Sequence, residues 1–216
     1  TGGSRYTMDT VTGSDTAYDR VANYLDSLSY QMLMTILIVA VLAAVISLLW
    51  SIFVVAPLEV GRDRYFMESR QALSPAATVT SVFRTPYMNV VKVQFLRNLK
   101  IVVGTLLLVV PGIYWSYCYA LVPYLLAENP YLSTTRAMQL SKDIMDGEKF
   151  HYFVLALSFI GWNMLCSLTL GIGFFFLEPY KQATEAEFYA AMRSKALAQG
   201  LTTTEELGGF VRHESY

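Results

Sequence analysis

The amino-acid sequence predicts an all-α protein: a polytopic transmembrane helical bundle of about five crossings arranged as helical hairpins, with amphipathic helices on the cytoplasmic face. Two observations predict this class. The chain of 216 residues is 54% hydrophobic but only 15% charged, whereas soluble domains contain about 25% charged residues. Its uncharged segments, residues 27–58, 101–127 and 152–177, each exceed the roughly 20 residues of one spanning helix.

Local composition divides the chain into three parts. Residues 1–30 are rich in Gly, Ser, Thr and Asp, and we predict that they form a polar extracellular loop or tail. Residues 31–198 are predicted to form the transmembrane helical domain. Residues 199–216, rich in Thr, Glu and Gly, are predicted to form a flexible cytoplasmic tail.

The first predicted spanning helix covers residues 31–56 and ends or kinks at Pro57. Ala43, Ser47 and Ser51 recur in it at a spacing of four. Small residues along one stripe let another helix approach closely, so this stripe is a candidate helix-packing face. The alternative is a plain lipid-facing helix, since the same residue types are common in any spanning helix.

The middle of the chain alternates polar and apolar pieces. A Ser-Pro pair opens a short helix predicted over residues 74–83, whose apolar side suits the membrane surface. Residues 87–110 are predicted to form a helix with basic side chains in its first half that then enters the bilayer. It stops at Pro111-Gly112, and residues 113–127 form the next apolar piece.

The last third of the chain begins with an amphipathic pattern. Ser133 as N-cap and Gly147 as C-cap bound a helix that lies on the membrane surface or packs beneath the bundle. Residues 152–170 are predicted to span, and Gly171–Gly173 breaks the helix. Because charged residues soon follow, the return helix over residues 174–198 either crosses, shielded by its neighbours, or leaves the bilayer early.

The distribution of Lys and Arg distinguishes two topologies. If residues 101–127 and 152–177 each cross once, three basic residues of the loop between them lie outside. If Pro111-Gly112 and Gly171–Gly173 are instead the outer tips of two hairpins, 14 of the 16 Lys and Arg lie inside. Cytoplasmic loops carry an excess of Lys and Arg. The hairpin topology is therefore favoured, with the C-terminus cytoplasmic.

Four segments resemble a known family. They are PLEVGRDRYF at 57–66, VKVQFLRNLKI at 91–101, PGIYWSYCYALVPYLLAENP at 111–130 and LSFIGWNMLCSLTLGIGFFFLEPYKQATEAEFY at 157–189. With them, the chain from about residue 30 to 192 resembles a Gram-positive bacterial integral-membrane family catalogued as domain of unknown function 975. The resemblance implies a bacterial cell-membrane location and a further hydrophobic helix before the first residue. It brings no activity, substrate or catalytic residue.

The sequence offers no motif of a catalytic, cofactor or metal site. It contains no HExxH, P-loop, GxGxxG or GxSxG pattern. His151 is interpreted as an interfacial residue and His213 as a tail residue. Cys118 and Cys166 fall in apolar runs and are interpreted as core residues. We therefore predict a protein that is not an enzyme, without catalytic residues, cofactor or metal.

Several charged residues lie near the predicted inner helix ends. A charge at membrane depth has to be paired, hydrated or functional. In the functional interpretation Arg97 or Lys100 faces a carboxylate, whereas in the plain one these groups pair with headgroups or cap helices. The candidate polar cluster at the inner membrane face comprises Glu59, Arg97, Lys100, Glu128 and Glu178.

These features favour a non-enzymatic subunit or scaffold of the cell membrane that packs against other membrane components. The predicted partners are the lipid bilayer and a membrane protein or a second copy of the chain. A net charge of −1 gives no basic footprint for nucleic acid. The alternative is a transporter, or an export or resistance factor, for a lipid, peptide or small amphiphile. It predicts a continuous polar path joining Glu178, Arg97 and Asn163.

Overall fold

The computed structural model describes residues 9–84 and 86–209. The predicted features on residues 1–8 and 210–216, His213 among them, lie outside this part of the chain. The described part is helical and contains no strand. It divides after residue 49 into two compact units.

The described residues of the first unit belong to one long helix, α1, Asp9–Trp50. It begins within the segment that the sequence predicts as a polar loop, because no Pro interrupts residues 9–50 and most of these residues tolerate a helix. Side chains along residues 18–49 are exposed, and many of them are large aliphatic groups such as Leu33, Ile38 and Ile46.

The second unit opens with a π-helical turn, Ser51–Val55, and α2, Ala56–Ser69. A 3-10 helix, Ala76–Arg84, and six further helices follow. They are α3, Tyr87–Leu107; α4, Val109–Cys118; α5, Val122–Glu128; α6, Thr134–Ile144; α7, Lys149–Leu168; and α8, Phe174–Ala198.

A packed core, called the base below, joins α2, the first half of α3, α5, α6 and the second half of α8. Helix α5 lies at its centre, because each side chain from Val122 to Ala127 is buried. The rings of Tyr124 and Tyr189 stack there with centroids 5.2 Å apart. The apolar stripe of α6, which includes Ala137 and Leu140, is buried in the same core. The apolar stripe of this helix therefore faces the core of the base, and the side of a membrane on which the helix lies stays a prediction.

The last described residues also belong to the base. Leu207 is fully buried in its core and Thr202 is buried as well. Arg136 binds Glu206 with its Nη2 2.6 Å from Oε2. The segment predicted as a flexible tail is thus packed from residue 201 to 207, since an apolar side chain and an ion pair hold it.

Helices α3 and α4 form a closely packed hairpin. The turn lies at Leu108, which is extended with φ −157° and ψ 137°, and not at Pro111-Gly112 as predicted from the sequence. Pro111 lies in the first turn of α4. Backbone N–H groups there have no acceptor within the helix, so a proline without an N–H costs no hydrogen bond. Gly112 instead lets α4 approach α3 closely, because a Cβ on it would lie 2.7 Å from the Cα of Thr105.

Helices α7 and α8 form the second hairpin. Its turn covers residues 169–173, where the sequence predicts the break, and Gly171 has a φ of +88° that suits glycine. Ring contacts between Phe159 and Tyr180, at 5.9 Å, and between Tyr152 and Phe188, at 5.1 Å, run along the pair. The two helices are therefore antiparallel over most of α7.

Both hairpins leave large apolar side chains exposed near their turns. Leu106 is 81% exposed, Leu168 80% and Phe175 82%. In the described part of the chain three helical segments are long and apolar enough to cross a membrane: Tyr18–Ser69, Val109–Glu128 and Lys149–Leu168. The all-helical class predicted from the sequence is confirmed, and these segments suggest membrane association.

Candidate functional site

A polar cavity of about 260 Å³ lies where the two hairpins meet the base. Helices α2, α3, α5, α7 and α8 each contribute side chains to its wall, and α4 and the turn after it contribute the rest. We call it the basal cavity. Its lining residues are Glu59, Arg62, Asp63, Arg97, Ser116, Tyr117, Ala120, Pro123, Tyr124, Tyr152 and Glu185.

The α2 side of the cavity carries a charged pair. Arg62 Nη2 lies 3.1 Å from Asp63 Oδ1, and Asp63 is only 2% exposed. Glu59 lies one turn earlier, so all three residues share the face of α2 that meets the cavity. Burial raises the pKa of Asp63, and the adjacent Arg62 opposes this shift only in part.

Arg97 enters the cavity from α3. Its Nε donates to the carbonyl of Tyr119 at 3.0 Å, and its Nη1 lies 3.8 Å from Glu59 Oε1 and 3.4 Å from Gln94 Oε1. The guanidinium thus links α3 to the end of α4 and to α2. These contacts fix its position at the mouth of the first hairpin.

Glu185 enters from α8 without a charged partner at close range. The hydroxyl of Tyr124 donates to its Oε2 at 3.4 Å. Among the described residues no Lys, Arg or His nitrogen lies within 4.0 Å of this carboxylate. Lys181, one turn earlier on α8, and Arg62 on α2 act on Glu185 only through space. Glu185 is therefore the unpaired acid of the cavity.

The structure divides the polar cluster that the sequence predicts. Glu59 and Arg97 meet in the basal cavity. Lys100 lies over the ring of Tyr119, with its Nζ 5.6 Å from the ring centroid. Glu178 is exposed on α8 and does not line the cavity.

Glu128 belongs to a different part of the base. Its carboxylate is fully buried and accepts hydrogen bonds from Arg193 Nε at 2.7 Å, from the Tyr189 hydroxyl at 2.7 Å and from the Gly209 N–H at 2.6 Å. Arg193 also donates to the carbonyl of Leu207 at 2.6 Å. Glu128 therefore joins α5, α8 and the C-terminal segment, and its contacts are those of a structural residue.

The predicted helix-packing face lies on exposed positions. Ala43 and Ser47 are exposed on α1, and the Ser47 hydroxyl donates to the carbonyl of Ala44 at 2.9 Å. Ser51 is exposed as the first residue of the π-helical turn. In the described part of the chain these small side chains leave room for an approaching helix.

Four residues of the cavity were not predicted from the sequence: Arg62, Asp63, Tyr124 and Glu185. A signal for two of them exists, because Glu59, Arg62 and Asp63 follow the i, i+3, i+4 spacing of one helix face. Glu185 has no such local signal, since its partner Tyr124 is 61 residues earlier.

The described side chains that line the basal cavity carry both positive and negative charges, but they do not form a set of metal ligands. Among the described residues no group of three or more His, Cys, Asp or Glu side chains is placed to hold a metal ion. Cys118 and Cys166 are both buried free thiols, as the sequence suggests. His151 is exposed and its Nδ1 lies 2.8 Å from Glu148 Oε2, away from the cavity lining.

Comparison with known proteins identifies a family. The model of a family described as "Protein of unknown function (DUF975)" matches residues 1–196. No curated protein matches the chain. No solved structure matches it either.

Proposed function

This chain belongs to the family described as "Protein of unknown function (DUF975)", and within that family we propose that it is a non-enzymatic integral protein of the bacterial cell membrane. It acts as a subunit or scaffold that packs against other membrane components. One observation carries this proposal. Long helical segments expose apolar surface, while the base carries ion pairs such as Arg193–Glu128.

The exposed apolar surface supports a membrane setting. Large contiguous apolar patches on a protein mark contacts with membranes or partners. In the window of residues that makes α1 a candidate span, no side chain is buried, and in that of α7 only 11% are. In a membrane, the exposed apolar side chains of these helices are covered by lipid or by another membrane protein.

The charges support a cytoplasmic base. Its basic residues include Arg62, Arg97, Arg136 and Arg193, and the excess of Lys and Arg lies on the cytoplasmic side. We place the C-terminus there and the two hairpin turns toward the outside. The N-terminal side of α1 then lies outside, so that α1 crosses.

The two hairpins have unequal reach. From Arg97, which contacts Tyr119, to the turn at Leu108, α3 rises only ~16 Å at 1.5 Å per residue. From Tyr152 to the turn after Leu168, α7 rises ~25 Å. A hydrocarbon core of ~30 Å is nearly crossed by the second hairpin and about half crossed by the first. We therefore favour one full crossing by α1 and two hairpins of different depth over five equal crossings.

The partners that we propose are the bilayer and a second helix packed on the small-residue face of α1. That helix belongs to another membrane protein or to a second copy of this chain. Ala43 and Ser47 would let it approach closely, which is the usual basis of helix association in lipid.

Cross-linking in the membrane tests the subunit function. Ser47→Cys is compared with Leu49→Cys, which lies about 200° around the same helix and is also exposed. We expect position 47 to cross-link to a protein or to a second copy in native membranes, and position 49 to remain uncross-linked. Equal, background-level cross-linking at both positions would contradict the proposal.

The basal cavity favours one second candidate, the transport of a small amphiphile. This alternative requires movement of the ligand across the membrane, and a flux assay in vesicles with the purified chain tests it. The polar path expected for it from the sequence would include Glu178 and Asn163, and neither residue lines the cavity. The subunit function therefore remains our first choice.

A further inference from the structure

We propose that the basal cavity binds the ammonium group of an amphiphilic amine, with Glu185 as the carboxylate that accepts it. This proposal concerns what occupies the cavity and is independent of the subunit function. It follows from the charges of the cavity, from its aromatic wall and from the apolar surface beside it.

The charges of the cavity leave one acid without a partner. Three carboxylates and two guanidinium groups line it. Arg62 pairs with Asp63 at 3.1 Å, and Arg97 approaches Glu59 at 3.8 Å. Glu185 has the hydroxyl of Tyr124 as its hydrogen-bond partner, while Lys181 and Arg62 act on it from beyond ion-pair distance. A largely buried carboxylate without a cation is costly, so the cavity favours a ligand with one positive charge.

The wall of the cavity suits an organic cation. Tyr117, Tyr124 and Tyr152 all line it, and the rings of Tyr117 and Tyr152 meet edge to face at 5.9 Å. Ammonium groups are attracted to aromatic faces and donate hydrogen bonds to carboxylates. Since the described residues offer no set of three metal ligands, an organic ammonium fits this site better than a metal ion.

The size of the cavity limits the part of the ligand that enters it. A volume of about 260 Å³ is smaller than the ~300 Å³ at which pockets for drug-sized ligands begin. A small headgroup with an ammonium fits, and a large polar ligand does not.

Apolar side chains next to the cavity suit the remainder of an amphiphile. Ile113 lies one turn before the lining residue Ser116 on α4 and is 52% exposed. Phe153 on α7 is 43% exposed, and its ring meets that of the lining residue Tyr117 edge to face at 6.4 Å. An acyl chain that leaves the cavity can therefore follow either hairpin. A lipid headgroup and a free organic amine share the ammonium chemistry, and the test below distinguishes them.

Native mass spectrometry of the full chain in detergent tests the proposal. The chain is titrated with phosphatidylethanolamine and with phosphatidylglycerol that carry the same acyl chains. We expect the ethanolamine lipid to bind about tenfold more tightly or better, because a charge-assisted hydrogen bond is worth roughly that factor. Equal affinity for the two lipids in the unmodified chain would overturn the proposal, and this comparison needs no variant.

Two variants of α8 locate the site. Glu185→Gln removes the charge and keeps an acceptor for the Tyr124 hydroxyl, so its melting temperature should stay close to that of the parent chain. We expect it to lose the preference for the ethanolamine lipid. Glu187→Gln is the matched control, since Glu187 lies two residues along, is largely exposed and pairs with Arg70. An equal loss in both variants would contradict the assignment to Glu185.

Competition with free ethanolamine identifies the source of the amine. If millimolar ethanolamine displaces the lipid and binds alone, the ligand is a soluble amine. If only the lipid binds, the acyl chain contributes and the ligand is a lipid. Both results support an ammonium site. If ethanolamine displaced phosphatidylethanolamine and phosphatidylglycerol to the same degree, the site would show no preference for an ammonium group, and this would contradict the proposal.

Discussion

Glu128 holds three segments of the base together through one buried carboxylate. It accepts hydrogen bonds from Arg193, Tyr189 and the backbone of Gly209. The residues that it joins are up to 81 positions apart in the sequence. Its location near the end of an apolar run led the sequence analysis to group it with Glu59 and Arg97. The structure instead gives it partners that fold the C-terminal segment onto the base.

We predict that Glu128→Ala destabilises the protein by about 3 kcal/mol, because it leaves the guanidinium of Arg193 without its buried partner. Thermal unfolding of the detergent-solubilised protein measures the change. Glu205→Ala is the control, since Glu205 is exposed, and its melting temperature should remain at the parent value. A Glu128→Ala variant as stable as the control would refute the structural role.

A second residue-scale prediction concerns pH and the Arg136–Glu206 pair. The hydrogen bond from Arg136 lowers the pKa of Glu206 below its usual value. Because the folded-state pKa is the lower one, the pair stabilises the protein above the unfolded-state pKa, and this stability is lost as pH falls through the folded-state pKa. We expect the segment of residues 201–207 to loosen in acid, below about pH 4.

Limited proteolysis over a pH series, with an acid-active protease, measures this loosening. Arg136→Gln should make the segment sensitive already at neutral pH and should flatten the pH dependence. Protection that is unchanged from pH 7 to pH 3 in the parent chain would show that the pair does not hold the segment.

At the scale of the elements, the α3–α4 hairpin depends on the absence of side chains at its crossing point. A Cβ on Gly112 would lie 2.7 Å from the Cα of Thr105, and one on Gly104 would lie 2.5 Å from the ring of Trp115. Small residues at such points are what allow helices in lipid to approach closely. The hairpin is therefore specified by two glycines and an extended residue, Leu108, between them.

We predict that Gly112→Val separates α3 from α4 and destabilises the protein by about 1–3 kcal/mol through overpacking. Gly161→Val on α7 is the matched control, because a Cβ there meets nothing within 4 Å. Melting temperatures in one detergent compare the two. The two substitutions should differ clearly, and equal melting temperatures would mean that the helices do not pack at Gly112.

The sequence could predict the elements better than their contacts. Charge-free runs interrupted by Gly or Pro indicated both hairpins, and Gly171 lies in the turn of the second one with a φ of +88°. The predicted position of the first turn was wrong by three residues, since Pro111 fits the first turn of α4.

The basal cavity could be predicted only in part. Glu59 and Arg97 were expected near each other, but Glu185 comes from a distant helix whose register no local pattern sets.

At the scale of the whole molecule, we propose that the base faces the cytoplasm and that the hairpins enter the bilayer from that side. The base contains the ion pairs Glu128–Arg193, Arg136–Glu206 and Lys195–Glu148. The hairpin turns contain exposed apolar residues such as Leu106 and Phe175. Charged groups are costly in lipid and apolar groups are costly in water. The base is therefore favoured in water and the hairpin turns are favoured in lipid.

The side of the membrane on which the α6–α7 loop lies tests this account most directly. Asp146 in that loop is 84% exposed, and the two native cysteines are buried, so Asp146→Cys gives a reactive thiol at a defined place. Intact cells are treated with a membrane-impermeant maleimide before and after permeabilisation. We predict labelling only after permeabilisation. Labelling of intact cells would place the loop outside and would contradict the hairpin topology.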